Sequence, residues 1–401
     1  MGILQETDNL IELYRHSIGT TRVPMALHDW SVIAGIAACL EDRVWVEKLQ
    51  KKLAPNLWIF MIAPSAAGKG SAIEELMDYI GPLDREHHLN LYYGPVTAQA
   101  LKKRMAGRPK DDTTHHRSKQ FLVNEEASEC IRSGNMAQDF IVSMTAQYRI
   151  PRGIVYRTET LTNGSANIAD PCINWLLGSN IEWAIKSIPQ DLLNGGFLGR
   201  VLPVVIPNYD PKNKMKGQRP PDYEDVKYLL AQRFEELCCT EGEMSVGRRA
   251  MELHDRWDDQ REVPKDDRLR ATYVRMDDNV WKLSMVFAKA EDVRIKQIGE
   301  RHMHLAIKAC ERLIPGAKQL LNASGVTVRT QDYDTTFKVI KKHGGVIKHS
   351  ILLQRLASHG IDKWGMMKAL DMMEHAGQLK KHTIPSAGTR TAKGYSLMAR
   401  W

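Results

Sequence analysis

Leu57-Trp-Ile-Phe-Met-Ile-Ala-Pro-Ser-Ala-Ala-Gly-Lys-Gly-Ser71 is the stretch whose reading decides the fold. Leu57 to Ile62 is apolar without a break, the pattern of a strand buried on both faces of a parallel sheet covered by helices. Pro64, which has no N–H to give a ladder, ends that strand. The small residues Ser65, Ala66, Ala67 and Gly68 follow. After Lys69, Ile73, Leu76 and Met77 fall at helical spacing. Strand, small-residue loop, Gly-Lys and helix form a phosphate-loop arrangement. In it, Pro64, Ser65, Ala66, Ala67, Gly68, Lys69, Gly70 and Ser71 cradle phosphate oxygens at a helix N-terminus, and Lys69 carries the charge toward the outer phosphates. The pattern G-x-x-x-x-G-K-[ST] is met at Gly68 and Lys69. It is departed from at Ala63, in place of the first glycine, and at Gly70, in place of the hydroxyl residue that holds Mg²⁺; Ser71 lies one position later. The plain alternative is a Gly/Ala-rich strand-to-helix turn with a surface lysine.

The next informative stretch is Gln120-Phe-Leu-Val-Asn-Glu-Glu126. An apolar strand ending in acidic residues suits the second motif of phosphate-loop enzymes, where an Asp orders Mg²⁺ and a following Glu polarises water. Asn124 stands at the Asp position and Glu125 at the base position, so Ser71 and Asn124 are the candidate metal contacts. Between the two motifs the sequence predicts a helix to about Ile80, stopped by Pro82. It then predicts a strand over Leu89–Tyr93 and a helix capped by Thr97 and running to Met105. Residues 1–56 read as helices, with the nearly all-apolar Val32–Leu40 buried. His115-His116 lies in a polar loop without a partner at ligand spacing.

Beyond Glu126, residues 127–148 read as helical. Asn163-Gly164 marks a hairpin turn between Ile154–Leu161 and Ser165–Ala169. Arg149, Arg152 and Arg157 border it, as solvated edge charges or as contacts to a phosphate backbone. Cys172–Gly178 is another buried strand, ending at Ser179-Asn180. Gly195-Gly-Phe-Leu-Gly-Arg200 precedes the strand Val201–Val205. Residues 207–224 read as a linker and 225–320 as amphipathic helices.

Charge is uneven. Residues 331–401 hold 12 Lys/Arg and 5 Asp/Glu, a net +7 of the chain's +8. A basic module on a nearly neutral body points to a polyanion partner. Its pattern is three helices, Thr336–Lys342, Ile351–Ser358 and Lys363–Ala376, then strands Leu379–Ile384 and Gly394–Met398. That is the order of a winged helix-turn-helix. Lys363, Lys368, Lys380, Lys381, Arg390 and Lys393 suit phosphate contacts; such a module can also dock protein. No apolar run approaches the ~18–20 residues of a membrane span, and the N-terminus lacks a signal-peptide pattern. Six cysteines without redox or metal spacing fit reduced thiols. The expected location is the cytoplasm of a bacterial or phage-infected cell.

The order of these parts resembles the AAA+ ATPases of phages and mobile elements related to MCM-type replicative helicases. The resemblance rests on Pro55-Asn-Leu-Trp58, the phosphate loop, Gly94-Pro-Val-Thr-Ala-Gln-Ala-Leu101, Leu122-Val-Asn-Glu-Glu-Ala-Ser128, the Asn163-Gly164 hairpin, Leu177-Gly-Ser-Asn180 and Gly196-Phe-Leu-Gly-Arg200. It covers roughly residues 25–320, with a winged helix following. It implies ATP and Mg²⁺ as cofactors, Lys69 on the β/γ-phosphates, Glu125 as catalytic carboxylate and Asn180 as the sensor that positions water. It also implies Arg200 as an arginine finger given to the neighbouring subunit, Arg275 as a second sensor, and the hairpin facing the channel of a ring.

The expected fold is therefore α/β: an AAA+ phosphate-loop ATPase with a parallel sheet flanked by helices, helical segments, and a C-terminal winged helix-turn-helix. The expected divisions are an N-terminal helical segment (1–50), the ATPase core (51–210), a helical lid-like domain (225–322) and the DNA-binding domain (331–401). The expected function is an ATP-dependent DNA helicase or translocase in phage or mobile-element replication. It would act on single- or double-stranded DNA as a homo-oligomer, a hexameric ring, with replication partners and without a membrane. Gly70 and Asn124 replace both protein groups that normally order Mg²⁺. They leave open an ATP-binding but non-hydrolysing initiator or loader, or a winged-helix regulator with a vestigial ATPase body.

Overall fold

The computed structural model describes residues 9–85, 88–106, 118–131, 135–148, 153–160, 164–187, 197–207, 209, 217–265, 267–325, 328–385 and 391–398. In chain order the elements begin α1 (Leu10–Ile18), α2 (Met25–Leu40), β1 (Val44–Lys48), β2 (Lys51–Leu53), β3 (Trp58–Ile62), α3 (Lys69–Arg85), β4 (Leu91–Tyr93), α4 (Ala98–Ala106) and β5 (Lys119–Asn124). They continue with α5 (Asn135–Gln147), β6 (Val155–Thr160), β7 (Gly164–Ala169), β8 (Cys172–Ser179), α6 (Ile181–Ser187), β9 (Val201–Val205) and α7 (Tyr223–Cys238). After β10 (Gly242–Glu243) and β11 (Ser245–Val246) come α8 (Arg248–Gln260), α9 (Asp267–Glu291), β12 (Gln297–Ile298) and α10 (Glu300–Gly325). The chain ends with α11 (Val328–Lys342), β13 (Val346–Lys348), α12 (His349–Ala357), α13 (Lys363–His375), β14 (Leu379–Pro385) and β15 (Thr391–Leu397). The chain divides into two units, Met1–Leu321 and Asn322–Trp401.

The first unit is α/β, built on a five-stranded sheet in the order β4-β5-β8-β3-β9, every neighbouring pair parallel. Strands β3, β5 and β8 are buried along their whole length, as the apolar runs at their centres, Trp58–Ile62, Phe121–Val123 and Trp175–Leu177, require. Side chains alternate between the two faces. Ile59, Met61, Phe121, Val123 and Leu176 join the cluster that contains α2, α3 and α7 residues. Trp58, Phe60, Ile62, Leu122 and Trp175 join the cluster formed with α4 and α5. The Trp58 and Trp175 rings stack with centroids 4.0 Å apart and planes 4° apart. Such a pair adds about 0.5–1.5 kcal/mol beyond the area it buries. Residues from Leu10 to Leu313 share one hydrophobic cluster, so the N-terminal helices and the helices after residue 225 pack into the same core.

Two local expectations are corrected. Residues 44–53 form the β1–β2 hairpin, not helix. Its turn is Leu49 (φ 49°) and Gln50 (φ 61°), a left-handed pair normally built from Asn or Gly, so no turn residue marks it. Helix α3 does not stop before Pro82 but carries it inside and ends at Arg85; the missing N–H costs one ladder bond without breaking a helix packed on the sheet. Thr97 Oγ1 accepts from Ala100 N at 3.2 Å, as a cap should.

The second unit packs α11, α12 and α13 on a three-stranded antiparallel sheet in the order β13-β15-β14. Ile340, Leu352, Leu356, Met366, Leu370 and Met373 form its core. Strand β13 was not legible in the sequence, and α11 begins before residue 331. Among the described residues no helix is long and apolar enough to cross a membrane. All six cysteines are free thiols.

Candidate functional site

The carboxyl ends of β3, β4, β5 and β8 meet at one edge of the sheet, where open α/β sheets place ligands. The phosphate-loop stretch leaves β3 there. Ala63 N donates to Ser179 O at 3.1 Å, which ties the loop to the end of β8. Ala66 (φ 66°) and Gly68 (φ 88°) take left-handed backbone, curling the loop so that α3 starts at Lys69. A Cβ on Gly68 would stand 2.5 Å from Val23 Cγ2, so glycine is required on both counts. The Lys69 ammonium donates to Ala63 O (3.0 Å) and Pro64 O (3.2 Å). Burial pulls its pKa down, against the raising effect of the Glu126 charge.

Ser65, Ala66, Gly68, Lys69, Gly70 and Ser71 line a cleft of about 300 Å³ together with Glu74, Glu125 and Glu126. Lys69 is the single cation among those lining residues. Curled backbone, a lysine and a helix N-terminus fit a phosphate chain. The Ser71 hydroxyl and the three carboxylates are the hard oxygens a Mg²⁺ accompanying it would take. Asn124 does not face the cleft. It is buried, its Nδ2 donates to Glu129 Oε2 at 3.0 Å, and its Oδ1 accepts from Glu126 N at 2.7 Å. Its position therefore holds the turn after β5 rather than a metal.

Glu125 lines the cleft against Gly70, and two glycines make its place. A Cβ on Gly70 would lie 2.3 Å from Glu125 Oε2, and a Cβ on Gly178 would lie 2.4 Å from Glu125 O. The Tyr93 hydroxyl at the end of β4 donates to Glu125 Oε1. Partial burial and that carboxylate push the Tyr93 phenol up. Gly70, read from the sequence as a lost hydroxyl, is thus clearance for the carboxylate. Tyr93 and Gly178 were not identified from the sequence; their signal is only their place at strand ends next to β5. Gly70→Ser, which restores the pattern's hydroxyl, is expected to push Glu125 off Tyr93. On the ATPase reading proposed below, this lowers ATP turnover by on the order of 10² at an unchanged melting temperature; turnover at or above the parental rate would refute the clearance role.

Asn180 directly follows β8, which lies between β3 and β5 in the sheet. Its Oδ1 accepts from Trp183 N at 2.8 Å, capping α6. Arg200 lies at the other edge. It precedes β9, and Val201 pairs with Trp58 while Val205 pairs with Ile62. Five residues at ~3.3 Å each set it on the order of 16 Å from the phosphate-loop edge. Its guanidinium is 5.6 Å from the Tyr148 ring centroid. Burial, then the nearby Arg275, lower its pKa to about 10, so it stays charged at neutral pH. A Cβ on Gly199 would meet Arg275 Cδ at 2.8 Å; the two arginines are thus brought together, away from Lys69.

Of the nucleic-acid candidates, Arg157 is exposed on the β6–β7 hairpin, paired with Asn167. Lys363, Lys368, Lys380 and Lys393 are exposed on the second unit. Lys381 is engaged within that unit, 2.8 Å from Asp371 and 2.7 Å from Glu374. Arg149, Arg152, Arg390, Gly195-Gly196 and His115-His116 lie outside the described residues. Among the described residues no three or more His, Cys, Asp and Glu side chains converge to hold a metal ion, so Glu74, Glu125 and Glu126 do not by themselves form a metal site, and a Mg²⁺ there would depend on the phosphate oxygens as well.

No family model matches the chain, and no curated protein matches it significantly.

Proposed function

We propose that the chain is an ATP-dependent DNA helicase or translocase that works as a ring, an AAA+-type ATPase followed by a winged helix-turn-helix. One observation carries the reading. The cleft at the carboxyl edge holds the phosphate loop, Lys69 and Glu125, while Arg200 and Arg275 stand together at the opposite edge. A second copy placing that edge against the cleft would complete it with the cations its own lining lacks. The basic second unit, three helices on a small antiparallel sheet, supports DNA as the polyanion. Mg²⁺ would be held through Ser71 and carboxylates rather than Asn124.

A second reading draws on Asn124, which is committed to its own turn, and on Glu125, held by Tyr93. In it, nucleotide drives assembly of a DNA-binding initiator or loader without turnover. The experiment that separates the two is ATP hydrolysis with and without single-stranded DNA, alongside size measurement with a slowly hydrolysed ATP analogue. DNA-stimulated hydrolysis and analogue-induced assembly are expected. Assembly without hydrolysis by the parent chain gives first place to the second reading.

The second unit gives its own expectation. Removing residues 326–401 should weaken duplex binding and flatten the log-affinity against log-salt slope by about 0.9 for each phosphate that the shortened chain no longer neutralises. An unchanged slope would show that DNA binds elsewhere.

A further inference from the structure

Helix α13 of the second unit buries Met366, Ala369, Leu370 and Met373 and turns a different set outward. Trp364 is 73% exposed, and Met367 is 37% exposed one turn further on. Lys363 and Lys368 flank them, both exposed, and the Lys368 ammonium stands 5.8 Å from the Trp364 ring centroid. The far half of the same helix differs. There Asp371 and Glu374 share one ammonium, that of Lys381 from β14, which leaves the trio a net negative charge rather than a positive one. At the near end, Asp362 is spent on capping, accepting from Gly365 N at 2.7 Å. The cationic, aromatic surface of the helix is therefore its first two turns.

A flat, exposed ring with the Lys368 ammonium near it and Lys363 next to it in the chain matches one kind of occupant. Bases of single-stranded DNA offer free π-faces, with a phosphate on either side of each. Duplex DNA hides those faces inside its stack, so it can meet the lysines but not the ring. We infer that Trp364 is a stacking platform for an unpaired base, with Lys363 and Lys368 on the flanking phosphates, and that it makes the second unit prefer single-stranded over duplex DNA. The inference rests on the DNA-binding reading of that unit and specifies its substrate.

The test uses the full chain, titrated at fixed salt against a labelled single-stranded oligonucleotide of mixed sequence and its blunt duplex. Trp364→Ala is expected to lose at least about fivefold in affinity for the single strand, with duplex affinity unchanged. Trp364→Phe keeps a ring and should restore most of the loss. Lys368→Ala should flatten the single-strand salt slope by about 0.7. Because the side chain is exposed, the fold does not depend on it. Equal losses on both DNA forms overturn the stacking role. So does no loss on either, the result if the surface docks a protein instead. A chain without residues 326–401 separates the two levels: if it keeps parental affinity for the single strand, the DNA-binding reading of the unit fails. If it loses affinity while Trp364→Ala does not, only the stacking role fails.

Discussion

Arg200→Ala should keep nucleotide binding and lose ATP turnover by roughly 10³–10⁵, the range in which an arginine acts on charge developing at the γ-phosphate. In the proposed ring, strand register is the reason for it to act on another copy. Within one chain the pairing of Val201 with Trp58 and Val205 with Ile62 keeps Arg200 a whole strand length from the loop after β3. The guanidinium stays protonated, since its pKa is lowered only to about 10. Mixing is the sharper measurement. Arg200→Ala and Glu125→Gln chains damage different sides of a shared site, so some interfaces in a mixed assembly hold both intact residues. Hydrolysis that partly returns on mixing two inactive variants is the expected result. Parental turnover by Arg200→Ala alone, or no turnover by the parent, would sink both the finger and the motor.

Lys69→Ala carries the second large effect. Glu74, Glu125 and Glu126 share the cleft with Lys69, so the variant leaves three carboxylates facing a polyphosphate with no cation among them. A charge pair at ~4 Å with an effective dielectric of ~20 is worth about 4 kcal/mol, or roughly a thousandfold in affinity. Titration with a fluorescent ATP analogue reads this directly. Binding at the parental level would mean that the loop does not hold phosphates.

The sequence made the sheet legible where burial is complete. Leu57–Ile62, Gln120–Val123 and Cys172–Leu177 are apolar nearly throughout because helices cover both faces, and only parallel strands need that. The turn into α3 at Lys69 was legible because Pro64 stops the strand and a run of small residues precedes the helical spacing after Lys69. The β1–β2 hairpin was hidden because Leu49 and Gln50 adopt left-handed backbone without the residues that usually signal it. Glu125 was found from its place after a strand, yet Tyr93 and Gly178 were not. Their roles arise from strand order, β8 beside β5 and β4 on its other side, which no local pattern contains. The same cause made Gly70 look like a loss, since its neighbour across the cleft lies more than fifty positions along the chain.

The packing of Val23 on Gly68 links the phosphate loop to a distant part of the chain. Val23 occupies the space beside Gly68. Three residues earlier, Thr20 and Gln218 exchange backbone hydrogen bonds at 3.1 Å in an isolated bridge. A ligand that fixes the loop also fixes the packing that Val23 depends on, and stabilises the closed bridge by mass action. Amide hydrogen exchange at Thr20 and Gln218 should therefore slow as nucleotide is added, although neither residue lines the cleft. The segment between α1 and α2 would act as a slow clock of occupancy, readable in the intact chain without any label on the nucleotide.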